Sequence, residues 1–157
     1  MRATQMIRWI PLLGLLFATP AFAEGMWGLG LWTGAGVAFG PDGKPTSSFT
    51  VELTRTAVGS NTVQLKGTAK LANGDEKAID QKSTYDGNRF QIESSRGHGS
   101  GVCLGEGICT SYEDHGNGQG VATTIVIDAP DKMRILMTEL DQGQTIRFIR
   151  QSLTRKP

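Results

Sequence analysis

Cys103 and Cys109 are the only cysteines in the 157-residue chain, and Leu-Gly-Glu-Gly-Ile separates them. A hairpin turning about Glu106 sets the two thiols directly opposite each other. A non-hydrogen-bonded antiparallel pair brings Cα atoms to about 4.5 Å, within disulfide range. In an oxidising compartment the bond forms, and closing so short a loop contributes about 2 kcal/mol on a chain-entropy argument. Cys-x5-Cys is not the Cys-x-x-Cys spacing of thioredoxin-like redox motifs. The same register sets His98 opposite Asp114, with Glu113 and His115 alongside. Two imidazoles and two carboxylates are the donor types of a zinc or copper site. A regular ladder, however, puts His98 and His115 on opposite faces. No metal is assigned, and His98, Asp114 and His115 stand as weak candidates.

Other chemistry is excluded by what the chain lacks. Asp114 to Gly120 resembles a calcium loop only in composition, because Gly116 and Gly118 stand where oxygen ligands are needed. There is no Gly-x-Ser-x-Gly elbow, no phosphate-binding loop and no Gly-x-Gly-x-x-Gly opening a helix. His98, Ser100 and Asp114 are hydrolase residue types, but nothing in their spacing makes them a triad. The expectation is a protein that is not an enzyme and carries no cofactor.

The compartment is read from the first 23 residues. Arg2 and Arg8 precede the apolar run Ile10 to Ala18, and Ala21-Phe22-Ala23 is a small-x-small cleavage site. This is the pattern of a Sec-type signal peptide, with the mature chain starting at Glu24. The apolar run is too short for the roughly 20 residues that span a bilayer, and Pro11 and Gly14 interrupt it. The expected location is periplasmic or secreted. The mature part, residues 24–157, is read as a single domain. It holds 14 basic and 15 acidic residues, a net charge of −1, because the leader carries two arginines and no acid. A near-neutral chain without a Lys/Arg cluster gives no electrostatic reason to bind nucleic acid.

Period-two alternation of apolar residues dominates what remains. Phe49, Val51 and Leu53 form one such face. Val63, Leu65 and Leu71 form another, as do Phe90 and Ile92, then Val121, Thr123, Ile125 and Ile127. Met133, Ile135 and Met137 follow, and Ile146 and Phe148 lie in the last run. Asn73-Gly74 and Asn117-Gly118 are strong hairpin signals, since type I′ turns need positive φ at both central residues. Asp42-Gly43 and Asp86-Gly87 are of the same kind, and Gln142-Gly143 is a looser turn. The reading is all-β: an antiparallel up-and-down meander of about 8–10 strands without intervening helices. A meander must hide its two edges, and a closed or nearly closed barrel does so. The alternative is a two-sheet β-sandwich. Glycines at 28, 30, 34 and 36 supply the bends that a tightly curled first strand needs.

Gly30-Leu31-Trp32, early in the first strand and shortly after the leader, resembles the Gly-x-Trp opening of calycin barrels, the lipocalins, avidins and their relatives. The lipocalin Thr-Asp-Tyr motif is absent, Thr84-Tyr85-Asp86 having the order scrambled. The resemblance implies that Trp32 packs beneath an arginine of the last strand, Arg147 or Arg150. Arg150, on the face of Ile146 and Phe148, is taken as the inward, barrel-closing candidate. The implied function is binding of a small apolar or amphipathic ligand, with Trp32, Phe49, Phe90, Met133 and Met137 lining the interior. The alternative is a periplasmic protein-interaction or inhibitor module acting through loops 96–120. A continuous interior cavity favours the first, and a filled interior with a protruding 96–120 hairpin favours the second.

Overall fold

A computed structural model describes residues 28–105 and 107–157. The expected leader and cleavage site at 1–23, the expected mature start at Glu24 and the expected hairpin tip Glu106 lie outside the described residues. Ten strands follow one another: β1 (Gly30–Phe39), β2 (Pro45–Ala57), β3 (Thr62–Leu71), β4 (Glu76–Asp86), β5 (Arg89–Ser94), β6 (His98–Cys103), β7 (Ile108–Gly116), β8 (Gln119–Ala129), β9 (Lys132–Asp141) and β10 (Gln144–Arg155). Each pairs antiparallel with the next, and β1 also pairs with β10, from Trp32↔Arg155 to Phe39↔Phe148. The meander is therefore a closed barrel with no free edge. Among the described residues there is no helix and no second sheet, so the sandwich alternative falls.

Alternation decides which side chains turn inward. On β2 the inward set is Phe49, Val51, Leu53 and then Arg55. On β9 it is Met133, Ile135 and Met137. The buried residues form two clusters. Trp32, Val51, Leu53, Met133, Ile135 and Leu153 make one; Val63, Tyr85, Phe90, Ile92, Cys103 and Cys109 make the other. Each large apolar side chain removed from water contributes roughly 1.5–3 kcal/mol. Two inward aromatics fit only because the residue across the ladder is glycine. Any Cβ at Gly36 would collide with the Phe49 ring, and one at Gly101 with the Phe90 ring. Glycine lets each ring lie flat against the neighbouring backbone.

The turns sort the molecule into two ends. The connections after β2, β4, β6 and β8 lie at one end, called the base here, together with Gly28, Leu29 and the C-terminal Arg155. Those after β1, β3, β5, β7 and β9 form the other end, the mouth. Asn117 and Gly118 have φ of 54° and 79°, the type I′ geometry expected of Asn-Gly. Gln142 and Gly143 do the same, at 51° and 77°, although glutamine rarely signals it. The 96–120 stretch is not loop. It supplies β6 and β7, both part of the barrel wall, joined by a short connection.

Candidate functional site

The Cys103–Cys109 spacing does what it predicts. The two residues face each other across β6 and β7 with Cα atoms 4.0 Å apart and are joined by a disulfide. The bond points inward at the base, against Val63, Tyr85, Phe90 and Ile92, with half-buried Leu29 packed over the group. Such a bond matches an oxidising environment. No helix of the described residues is long and apolar enough to cross a membrane.

Trp32 also belongs to the base. It is fully buried, and its indole Nε1 donates to the Gly28 carbonyl at 2.8 Å, so the chain entering β1 caps the barrel. The arginine expected beside it comes from elsewhere. Arg150 pairs with Val37 and Leu136 on the outer surface, alongside exposed Ile146 and Phe148. The inward face of β10 carries Thr145, Arg147, Ile149, Gln151 and Leu153 instead. Arg147 turns inward at the mouth, where its Nε donates to Glu139 at 2.7 Å. The last-strand residue opposite Trp32 is Arg155. The buried guanidinium near the indole is Arg55, from β2. A Cβ on Gly28 would lie 3.5 Å from Arg55 Nη1 and 3.8 Å from Trp32 Cζ2.

Above this cap the barrel encloses a cavity of about 170 Å³. Its walls are largely apolar, with Phe90, Met133 and Met137 among the lining residues together with Val63, Ile92 and Ile135. Trp32 and Phe49 point inward but pack into the core rather than onto the cavity surface. Four polar side chains are set into the buried wall: Arg55, Ser83, Tyr85 and Gln151. Burial lowers the Arg55 pKa, and the neighbouring Tyr85 partly offsets this. Burial raises the Tyr85 phenol, with Arg55 and Ser83 pulling the other way. Gln151 Nε2 donates to Met137 Sδ at 3.6 Å, while its Oε1 has no hydrogen-bond partner.

The mouth is polar. Ser94 donates to Glu113 Oε1, and His115 Nε2 stands 3.3 Å from the same oxygen. Arg96 and Ser95 complete that side. His115 therefore turns inward, whereas His98 and Asp114 lie opposite each other on the exposed outer face. The ladder divides this trio between two faces. Among the described residues no group of three or more metal-ligating side chains is assembled.

Sequence reasoning missed Arg55, Ser83, Tyr85, Gln151 and Ser94, and it named Glu113 and His115 only as weak metal-ligand types. A signal existed for Arg55, which extends the Phe49–Val51–Leu53 face by one step. Tyr85 and Ser83 share a parity with each other but follow no apolar run.

A scan against protein-family models finds no match, and a search of curated proteins finds none either. Solved structures do match in shape. The S-type phycobiliprotein lyase CPES from Guillardia theta aligns with a TM-score of 0.67 at 7% identity, over 83% of this chain and 89% of that one. A protein of unknown function from the DUF3598 family of Nostoc punctiforme aligns at 0.64 and 13% identity, over 82% of this chain and 47% of that one. The chain thus spans about half the length of that relative. Rv2717c from M. tuberculosis aligns at 0.61 and 14% identity, over 82% of this chain and 92% of that one. These likenesses agree with a calycin-like fold.

Proposed function

We propose that this chain is an exported, non-catalytic binding protein that holds one small apolar or amphipathic molecule inside the barrel. The observation that carries the reading is the cavity itself. Closed barrels of this size either fill with side chains or keep room for a ligand, and this one keeps about 170 Å³. Its apolar walls carry a few convergent polar groups, the usual make-up of a small-molecule site. Phe90, Met133 and Met137 line it, with Trp32 and Phe49 supporting the wall from behind. Export to the periplasm or beyond is supported by the tripartite leader and the disulfide.

The test is direct. Native mass spectrometry of protein purified from its own host, without reductant, should show a chain beginning at Glu24, two hydrogens short of its reduced mass, with a retained small molecule. Titration with benzene should shift the Met133 and Met137 methyl resonances. Full-length chain in the membrane fraction would overturn export. Methyl signals that ignore saturating benzene would overturn the binding reading and leave the barrel a filled scaffold.

A further inference from the structure

We infer that the bound molecule is a neutral, ring-sized compound carrying an N–H or O–H donor, and that Gln151 reads this donor; the inference rests on the cavity being the binding site. Gln151 turns inward from β10, is 8% exposed and borders the cavity. Its Nε2 donates to Met137 Sδ, and its Oε1 accepts from no protein group. The orientation of the amide follows from chemistry. A thioether sulfur accepts but does not donate, so turning the amide over would leave both of its ends unmet. The residues directly across the sheet do not supply the donor. Across the two ladders Gln151 faces Gly36 and Ile135, neither of which has a polar side chain. A buried carbonyl without a donor is costly, and a matching group on a ligand recovers that cost.

The rest of the lining narrows the class. The Arg55 guanidinium borders the same cavity, and like charges repel strongly where water is excluded. A cation at the Arg55 end of the cavity is therefore disfavoured, and the Glu113 carboxylate, which also borders the cavity, lies at the mouth and is engaged by Ser94 and His115. An anion would bring lone pairs toward the Gln151 carbonyl, which needs a hydrogen. Size sets the remaining limit. A cavity of about 150 Å³ admits benzene, and this one is about 170 Å³. One ring or two fused rings fit. Phe90, Tyr85, Met133 and Met137 offer such a ring aromatic and sulfur contacts.

The experiment uses indole and benzofuran, two bicycles of one shape that differ in the N–H donor. Each is titrated into the full protein while the Met133 and Met137 methyl resonances are followed. The expected result is indole binding about tenfold tighter than benzofuran, the usual effect of one neutral hydrogen bond. In Gln151→Leu and Gln151→Met the ratio should fall to near one with benzofuran binding retained. Equal binding of the two probes to the native protein would overturn the role of Gln151 while leaving the cavity reading intact. An indole preference that survives in both variants would do the same. Binding of neither probe would overturn the cavity reading itself. Should the variants fail to fold by circular dichroism, 1-methylindole, which lacks the donor, replaces them: affinity near that of benzofuran supports the role of Gln151, and affinity near that of indole overturns it.

Discussion

The two ends of the barrel are built from different kinds of contact. At the base, partners are fixed by covalent bonds, backbone groups and dense packing. Cys103 is bonded to Cys109, the Trp32 indole donates to a backbone carbonyl, and Leu29 packs over the apolar group beneath. At the mouth, side chain meets side chain. Arg147 pairs with Glu139, and Ser94 and His115 share one carboxylate oxygen of Glu113. Polar pairs that retain solvent exposure contribute at most about 1 kcal/mol each. The difference teaches a division of labour: covalent and densely packed contacts hold the base, and the end through which the proposed ligand would enter is held by contacts that rearrange at low cost.

The largest effect should come from Trp32. Trp32→Ala removes the most deeply buried large side chain and its hydrogen bond, and should lower the unfolding free energy by about 3–5 kcal/mol in a urea titration. A loss no greater than that of mouth substitutions would break the comparison. The disulfide comes next. The double variant Cys103→Ala, Cys109→Ala should lose about 2 kcal/mol, the chain-entropy value for so short a loop, measured beside untreated protein under the same conditions.

A smaller effect is confined to alkaline solution. The chain has two tyrosines, so in a Tyr112→Phe background the phenolate absorbance reports Tyr85 alone. Burial raises the Tyr85 pKa above its ordinary value of 10.0. The native state thus holds the phenolic proton more tightly than the unfolded chain does. The stabilisation is fully present below pH 10 and is lost as the pH rises from there through the native pKa. The absorbance change should therefore start above pH 10 and accompany loss of stability, and Tyr85→Phe should lack that part of the alkaline decline. Ionisation at or below pH 10 would show that the base is open to water.

Much of this division was legible in the residues. The Cys-x5-Cys spacing defined the β6–β7 register because a hairpin tip leaves little freedom, and Asn117-Gly118 marked its own turn through an asparagine that tolerates positive φ. Gln142-Gly143 adopts the same geometry without that signal. The cavity was less legible. Whether inward side chains meet at the axis or leave room depends on their summed volumes against barrel radius, and alternation carries no information about radius. Arg55 went unread because a charge ends an apolar run on paper, although its parity matches Leu53. The last strand misled for a different reason. Ile146 and Phe148 on one face are balanced by Ile149 and Leu153 on the other, so apolar content alone does not choose the inward side.

That last strand supplies the smallest and most discriminating prediction. Taking Ile146 and Phe148 as inward makes Arg150 the arginine that matters; the observed phase makes it Arg147. Arg147 lies inside the mouth with its Nη2 2.5 Å from Glu139, whose side chain is 16% exposed. Arg150 stands on the outer surface between Val37 and Leu136. Arg147→Ala leaves the Glu139 carboxylate without its partner and should cost about 0.5–1 kcal/mol, discounted for the solvent that reaches the arginine. Arg150→Ala should stay within about 0.5 kcal/mol of native, as surface substitutions do. Because the mouth contact is ionic, raising the salt concentration should narrow the gap between the two variants. It should leave the Trp32→Ala loss unchanged. The opposite ranking, with Arg150→Ala the more damaging, would turn β10 over by one residue and put Gln151 on the outside of the barrel.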